Sequence, residues 1–456
     1  MDIEMCVNSL SMPLPEDILK RKWAGDLDGA IRAIDMRLAG EMPQMLRARL
    51  LCERERIRRL PTQYPWNREQ ALAKLQELAP DITPEQFDEL ELAGWVDFIY
   101  VNGEKRYFVR FHKSMIKSGA VRAGGQGGSS VNEWLDPMID EMISRGEMKR
   151  RITLKADVYI DDEDFVPGEY LVHLPFPAET AQQSDIRLLE GDPDGISAPD
   201  APARCVWWRR TLEENRKFAI RYSYVTHVRY ADPLHAPAPD MPLYAGAKAP
   251  CGEDLSESGA YLRFTPYLRA LAQEITAGAK DDCDKAFKIY EFVTTKITYT
   301  FMRDYFQFDH HGEYCAVNLK GDCGLQTLTF IILCRIAGIP ARWQSSQAID
   351  PDYVGGHDWA QFYLPGWGWL FADLSYGGSA YRAGNERRWH FYFGNLDPMR
   401  MAANSAYQAA LEPQKQALRV DPFDNQYGEM ERTGAPLPFT LRQLCGGVEM
   451  VSFEDC

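Results

Sequence analysis

The chain has 456 residues, 45% of them hydrophobic, enough for several buried cores and for about three domains. Its 51 Lys+Arg against 66 Asp+Glu give a formal net charge of -15, and residues 1–125 hold 19 of each sign, so the imbalance of 32 against 47 lies wholly beyond them. That charge disfavours nucleic acid and anionic membranes as partners, no apolar run is long enough to span a bilayer, and the start Met1-Asp2-Ile3-Glu4-Met5-Cys6 lacks a signal-peptide pattern.

Ten cysteines without disulfide-type spacing then predict a reducing, cytoplasmic location with free thiols.

The first section, 1–118, reads as a helical accessory domain. Pro15–Ala24, Leu27–Leu38, Met42–Leu60 and Arg68–Leu78 have helical apolar spacing, and Thr83-Pro84-Glu85 starts another helix to Leu92. The run from Arg47 to Arg59 interleaves with Glu53 and Glu55, which predicts a solvated helix face. Trp95–Tyr100 and Arg106–Phe111 flank Asn102-Gly103, a strong hairpin turn signal. Helices followed by a hairpin near Lys105, Arg106, Arg110, Lys113 and Lys117 suggest a winged-helix-like unit, but its neutral charge argues for packing rather than nucleic-acid binding.

Residues 119–147 read as a Gly-rich linker and a short helix. Over 148–250, strand-like runs at Arg151–Ile160, Gly168–Pro175, Ser184–Leu189, Arg204–Trp208 and Arg216–Val228 predict a small β-sandwich, ending in a Pro-rich linker from Ala231. Trp207 and Trp208 are expected in its core. Helices over Leu262–Ala277 and Asp282–Ile297 open a section, 251–400, that carries the chemistry, and 401–456 reads as an extension packed on it. The fold class is thus α+β and multidomain.

Within 251–400, Gly321-Asp322-Cys323-Gly324 precedes apolar residues at helical spacing (Leu325, Leu328, Ile331, Ile332), with Gly338 and Pro340 as the stop. A cysteine at a helix start gains thiolate stabilisation from unpaired N–H groups and the positive end of the dipole. His357 opens a strand to Leu364, Pro365-Gly366-Trp367-Gly368 makes a turn, and Trp369–Leu374 returns, so the hairpin brings Asp373 beside His357. Nucleophile, base and orienter are the three parts a thiol enzyme needs. The set His310, His311, Cys315 and Cys323 lacks metal-site spacing, so no metal and no cofactor is expected.

These segments, with Arg335-Ile336-Ala337-Gly338-Ile339-Pro340-Ala341-Arg342 and Gly368-Trp369, resemble the core of transglutaminase-like proteins, and more narrowly their bacterial cysteine-protease branch. The resemblance implies a papain-like core with a triad of Cys323, His357 and Asp373, and a thioester intermediate. Leu374-Ser375-Tyr376-Gly377 departs from the Pro-Thr common in relatives, as a loop difference. The backbone N–H of Cys323 is one expected oxyanion donor; Asn318, Tyr314 and Trp343 are side-chain candidates, and Trp359 a cleft candidate. Asn395 and Arg400 are read as packing residues, with cleft lining as the alternative. The expected function is hydrolysis of a peptide, protein or small amide substrate, with transamidation or non-catalytic peptide binding as alternatives.

Overall fold

The computed structural model describes residues 3–122, 133–244, 246–434 and 444–456. They form two compact units, which differs from the five consecutive sections expected. Among the described residues, unit 1 comprises 3–122 and Glu133 together with 298–309 and 320–322, and unit 2 holds the rest.

Unit 1 is mainly helical, and its local signals are strong. Asn67 and Thr83 each cap a helix through a reciprocal box with Gln70 and Gln86, and Asn102 (φ 51°) and Gly103 (φ 90°) make the tight hairpin turn between Phe98–Val101 and Glu104–Tyr107. The second arm is shorter than expected, because residues from Phe111 to Ser118 form a helix.

Helix Gln44–Gln63 corrects the solvated-face reading. Arg49, Glu53, Arg56 and Arg59 are buried, because each charge has a partner: Glu53 Oε2 accepts from Arg49 at 2.7 Å and Arg56 at 2.8 Å, and Lys22 reaches its other oxygen at 2.6 Å. Burial opposes the Glu53 charge, but Arg56, Lys22 and Arg49 outweigh it and hold the carboxyl well below its usual range. The same Arg56 donates to Phe306 O at 2.7 Å and pairs with Asp309 at 2.8 Å, Gln307 donates to Arg56 O, and the Asp304 N–H donates to Gln63. Residues 298–309 therefore complete the core of this unit. Its hairpin cations are also committed: Lys105 pairs with Glu91, Arg106 with Glu104, and Arg110 and Lys117 lie over Phe301 and Tyr299.

Among the described residues, unit 2 contains three sheets. Two have four strands each, in the orders 429–432, 168–175, 205–212, 195–196 and 444–455, 147–160, 218–229, 183–190, with antiparallel neighbours. Their inward residues, among them Ile152, Leu154, Val172, Trp208, Tyr222 and Tyr224, share one apolar cluster. Trp208 is in that core; Trp207, one residue earlier in the pleat, instead covers Gly195. Part of the expected C-terminal extension does pack on the catalytic section, through 401–404 and 424–426, whereas Glu429–Arg432 and Leu444–Asp455 are instead edge strands of these sheets. A register shift between Met450 and Ser452 lets both Met450 and Phe453 reach the cluster, which breaks simple alternation in the sequence.

The third sheet runs 393–394, 368–372, 353–364, 341–350, 400–404, all antiparallel. Helix Cys323–Ile336 packs on one face of it, Phe330 meeting Phe362 edge-on at 5.8 Å; the helix is mostly apolar and wholly buried over 324–335, its polar Gln326, Thr327, Thr329 and Arg335 included. On the opposite face Trp359, Phe371, Leu396 and Ala402 pack with Tyr244, so the Pro-rich stretch expected as a linker in fact covers this sheet.

Candidate active site

Cys323 is the first residue of its helix and half-buried. His357 lies inside strand Tyr353–Leu364 rather than at its start, because the chain pairs back to Tyr353 opposite Asp350. Register places His357 opposite Ser346 and Asp358 opposite Ser345, so these two neighbours point to opposite faces of the sheet.

On one face, His357 Nε2 lies 2.7 Å from Asp373 Oδ2, which also accepts from Arg400 at 2.9 Å. Arg400 bonds Asp397 at 3.0 Å, and Tyr392 OH donates to that carboxylate at 2.8 Å. Asp373 follows the strand that ends at Ala372 and caps helix Leu374–Arg382, its Oδ1 accepting the Tyr376 N–H at 3.1 Å. The departure at Leu374-Ser375-Tyr376-Gly377 is thus the first turn of a helix, not a loop. Burial alone would raise the Asp373 pKa, but His357, Arg400 and the Tyr376 N–H outweigh it and bring it down to about 2. An ionised Asp373 only accepts, which fixes the imidazole hydrogen on Nε2 and leaves Nδ1 as the basic nitrogen.

On the other face, Cys323 Sγ lies 3.1 Å from Asp358 Oδ2, the thiol donating to the carboxylate. Asp358 is buried and its second oxygen accepts from Gln426 Nε2 at 2.6 Å. Gly356 makes room for that carboxamide: a Cβ there would sit 2.2 Å from Gln426 Oε1. The Gln426 segment is tied to strand 341–350, where Ser346 Oγ donates to Asn425 O at 3.1 Å and Ser345 bonds Asp424. A hydrogen bond thus joins sulfur to Asp358 on one face, and another joins the imidazole to Asp373 on the other.

The oxyanion and cleft candidates fare differently. Trp343 Nε1 donates to Ser345 Oγ at 3.0 Å and Trp359 Nε1 to Gln344 Oε1 at 2.8 Å, so both indoles are spent inside the sheet. The Asn318 side chain is exposed and bonds back to Tyr314 O at the end of helix His311–Asn318, which leaves Tyr314 and the backbone of Cys323 from the original set. His311 is buried with Nδ1 2.6 Å from Tyr407 OH and stacks on Tyr261. Asn395 bonds the backbone of Ala231. Sequence reasoning passed over Asp358 and Gln426 as site residues. Asp358 stood in the flagged segment, but nothing local signals Gln426.

Residues 269–374, which include Cys323, His357 and Asp373, match the model of the transglutaminase-like superfamily. Among solved structures, a putative cysteine protease from Cytophaga hutchinsonii is similar at 15% identity and TM-score 0.40, over 67% of this chain and 98% of that one. The periplasmic domain of TgpA from Pseudomonas aeruginosa is similar at 16% identity and TM-score 0.27, over 57% and 96%. No curated protein matches the chain significantly.

Proposed function

We propose, from the match of residues 269–374 to the transglutaminase-like superfamily and from the site they contain, that the protein is a thiol enzyme that cleaves a peptide or related amide bond through Cys323, His357 and Asp373. The observation that carries the reading is the buried His357–Asp373–Arg400 relay, with contacts of 2.7 and 2.9 Å, which holds the imidazole in one orientation with Nδ1 as its base.

On this reading sulfur first moves to the side of the strand where His357 lies; its proton then passes to Nδ1 and the thiolate attacks the amide carbonyl carbon. The oxyanion that develops takes hydrogen bonds from the backbone N–H at the helix start, which gains from the helix dipole. Collapse breaks the C–N bond, the amine leaves with the proton held on His357, and a thioester remains on sulfur. Water then attacks the thioester, giving up a proton to His357, and the acid is released. In the resting geometry sulfur is on Asp358, so the thiol must leave that carboxylate before the imidazole takes its proton. The papain-like core and a β-sandwich built from the two four-stranded sheets belong to the same reading.

The experiment is mass spectrometry of a diverse peptide library after incubation with the protein, with and without a primary amine, beside Cys323→Ala. Cleaved or deamidated peptides absent from the control are expected. Amine adducts in place of acids would move the reaction to transamidation, and turnover that survives Cys323→Ala would overturn the nucleophile.

A further inference from the structure

The hydrogen bond from the Cys323 thiol to Asp358 sets two local influences against each other. The start of the helix favours a thiolate, whereas a carboxylate in contact with sulfur disfavours it. A full charge at 3.1 Å outweighs the half charge spread over the first turn. Asp358 is buried in the central strand of its sheet and fixed from its far side by Gln426 Nε2, over the space left by Gly356.

The surroundings on this face reinforce the carboxylate's effect on sulfur. Asp322, the residue before Cys323, accepts from Tyr305 OH at 2.6 Å, and the only basic residue of the Cys323 helix, Arg335, is in its last turn. Strand 341–350 presents Ser345 beside Asp358 and, through it, Asp424; next to Asp424 is Asp421, whose carboxyl burial and Asp424 push up to about 7. Tyr407 senses Asp358, and His311 from the preceding helix is bonded to that phenol. His357, the strand neighbour, is paired with Asp373 on the other face.

Resting on the function proposed above, we infer that Asp358 is a catalytic-site latch: its carboxylate accepts the Cys323 hydrogen and keeps sulfur a neutral thiol until substrate binding separates the pair. At rest no bond is broken and the proton stays on sulfur. On activation sulfur leaves Asp358 and comes within reach of His357 on the other side of the strand; the S–H bond then breaks, its proton goes to Nδ1, and thiolate and imidazolium form together, while no proton moves to or from Asp358. The latch makes the nucleophile quiet towards small electrophiles when no substrate is present, and gives the pH dependence of the thiol to a residue outside the Cys-His-Asp set.

The test uses the full chain and iodoacetamide as the probe, with the rate of Cys323 alkylation followed against pH by peptide mass spectrometry. Asp358→Asn is expected to lower the alkylation midpoint by about one pH unit or more, so that alkylation well below the midpoint is about tenfold faster. Asp358→Glu, which restores the charge, is expected to return the midpoint towards that of the wild type. A midpoint that is unchanged or raised in Asp358→Asn overturns the latch. If the variant does not fold, thiolate absorbance of the wild type minus Cys323→Ala decides the matter. A thiol still neutral at about pH 7 supports the latch, and a thiolate fully formed by about pH 6 overturns it. Failure of the proposed activity has a separate signature, peptide turnover that persists in Cys323→Ala.

Discussion

Replacing Arg400 with Leu tests whether the relay behind His357 is held electrostatically. Arg400 is buried, donates to Asp373 Oδ2 at 2.9 Å and Asp397 Oδ1 at 3.0 Å, and lies 4.2 Å over the Tyr376 ring. Asp373 is brought from 3.8 to about 2, nearly two units, which corresponds to about 2.5 kcal/mol of stability shared among its partners. Removing the cation leaves two buried carboxylates with fewer partners, and breaking a buried pair in this way costs about 3–5 kcal/mol. We therefore expect a loss of about 3 kcal/mol at pH 7. The folded pKa lies below the unfolded one, so the wild-type contribution is full above about pH 4 and is lost as pH falls towards about 2. The gap between wild type and variant should accordingly be widest at neutral pH and close across that window. Urea unfolding at neutral pH and at several acid pH values measures it. A loss below about 1 kcal/mol at pH 7, or a gap that does not change with pH, refutes the argument.

Three further outcomes are expected. Asp373→Asn frees the imidazole to take the wrong tautomer, so turnover of any peptide found as substrate should fall by about 10⁴-fold with KM little changed; a loss confined to KM would count against the orienting role. The Asp421 carboxyl, pushed up to about 7 by burial and Asp424, favours the folded state only while protonated. Its contribution is full below about pH 4 and is lost as pH rises through about 7, so Asp421→Asn should flatten that decline, and an unaltered slope in urea midpoints would contradict it. Gly377→Ala would place a Cβ 2.0 Å from Tyr290 Oη and 2.9 Å from its Cζ, inside a packed helix pair. Overpacking of about 1–3 kcal/mol should lower the melting temperature, and wild-type melting would show that the pair opens freely.

Much of the site was legible because its signals are local. The apolar helix after Cys323, the turn at Pro365–Gly368 and the sixteen-residue step from His357 to Asp373 each follow from short-range rules. The missed parts depend on partners far along the chain. Asp358 meets Gln426 sixty-eight residues later, and Arg400 gains its role only once Asp373 and Asp397 are folded against it. Helix 44–63 misled for a related reason. A run of mixed charges looks the same whether water or buried counter-charges solvate it, and Arg56 finds Phe306 O and Asp309 some 250 residues away. The C-terminal strand escaped notice because its register shift breaks the two-residue period and Gly446-Gly447 dilutes it.

Unit 1 takes in three separate stretches of chain, and the boundary between the units is crossed at 133/134, 297/298, 309/310, 319/320 and 322/323. The helical part is thus sewn in rather than appended. A single cut of the chain between the first and second of these stretches would release no soluble fragment. The N-terminal piece would stay bound through Arg56, Gln63 and Ser114 to residues 298–309 and come away only in denaturant. Deleting it genetically would strip the packing from those residues and from 320–322, which end one position before the nucleophile. Recombination that swaps this unit between homologues would have to exchange all three stretches together, so the helical part and the loop leading into Cys323 are constrained to change as one heritable block.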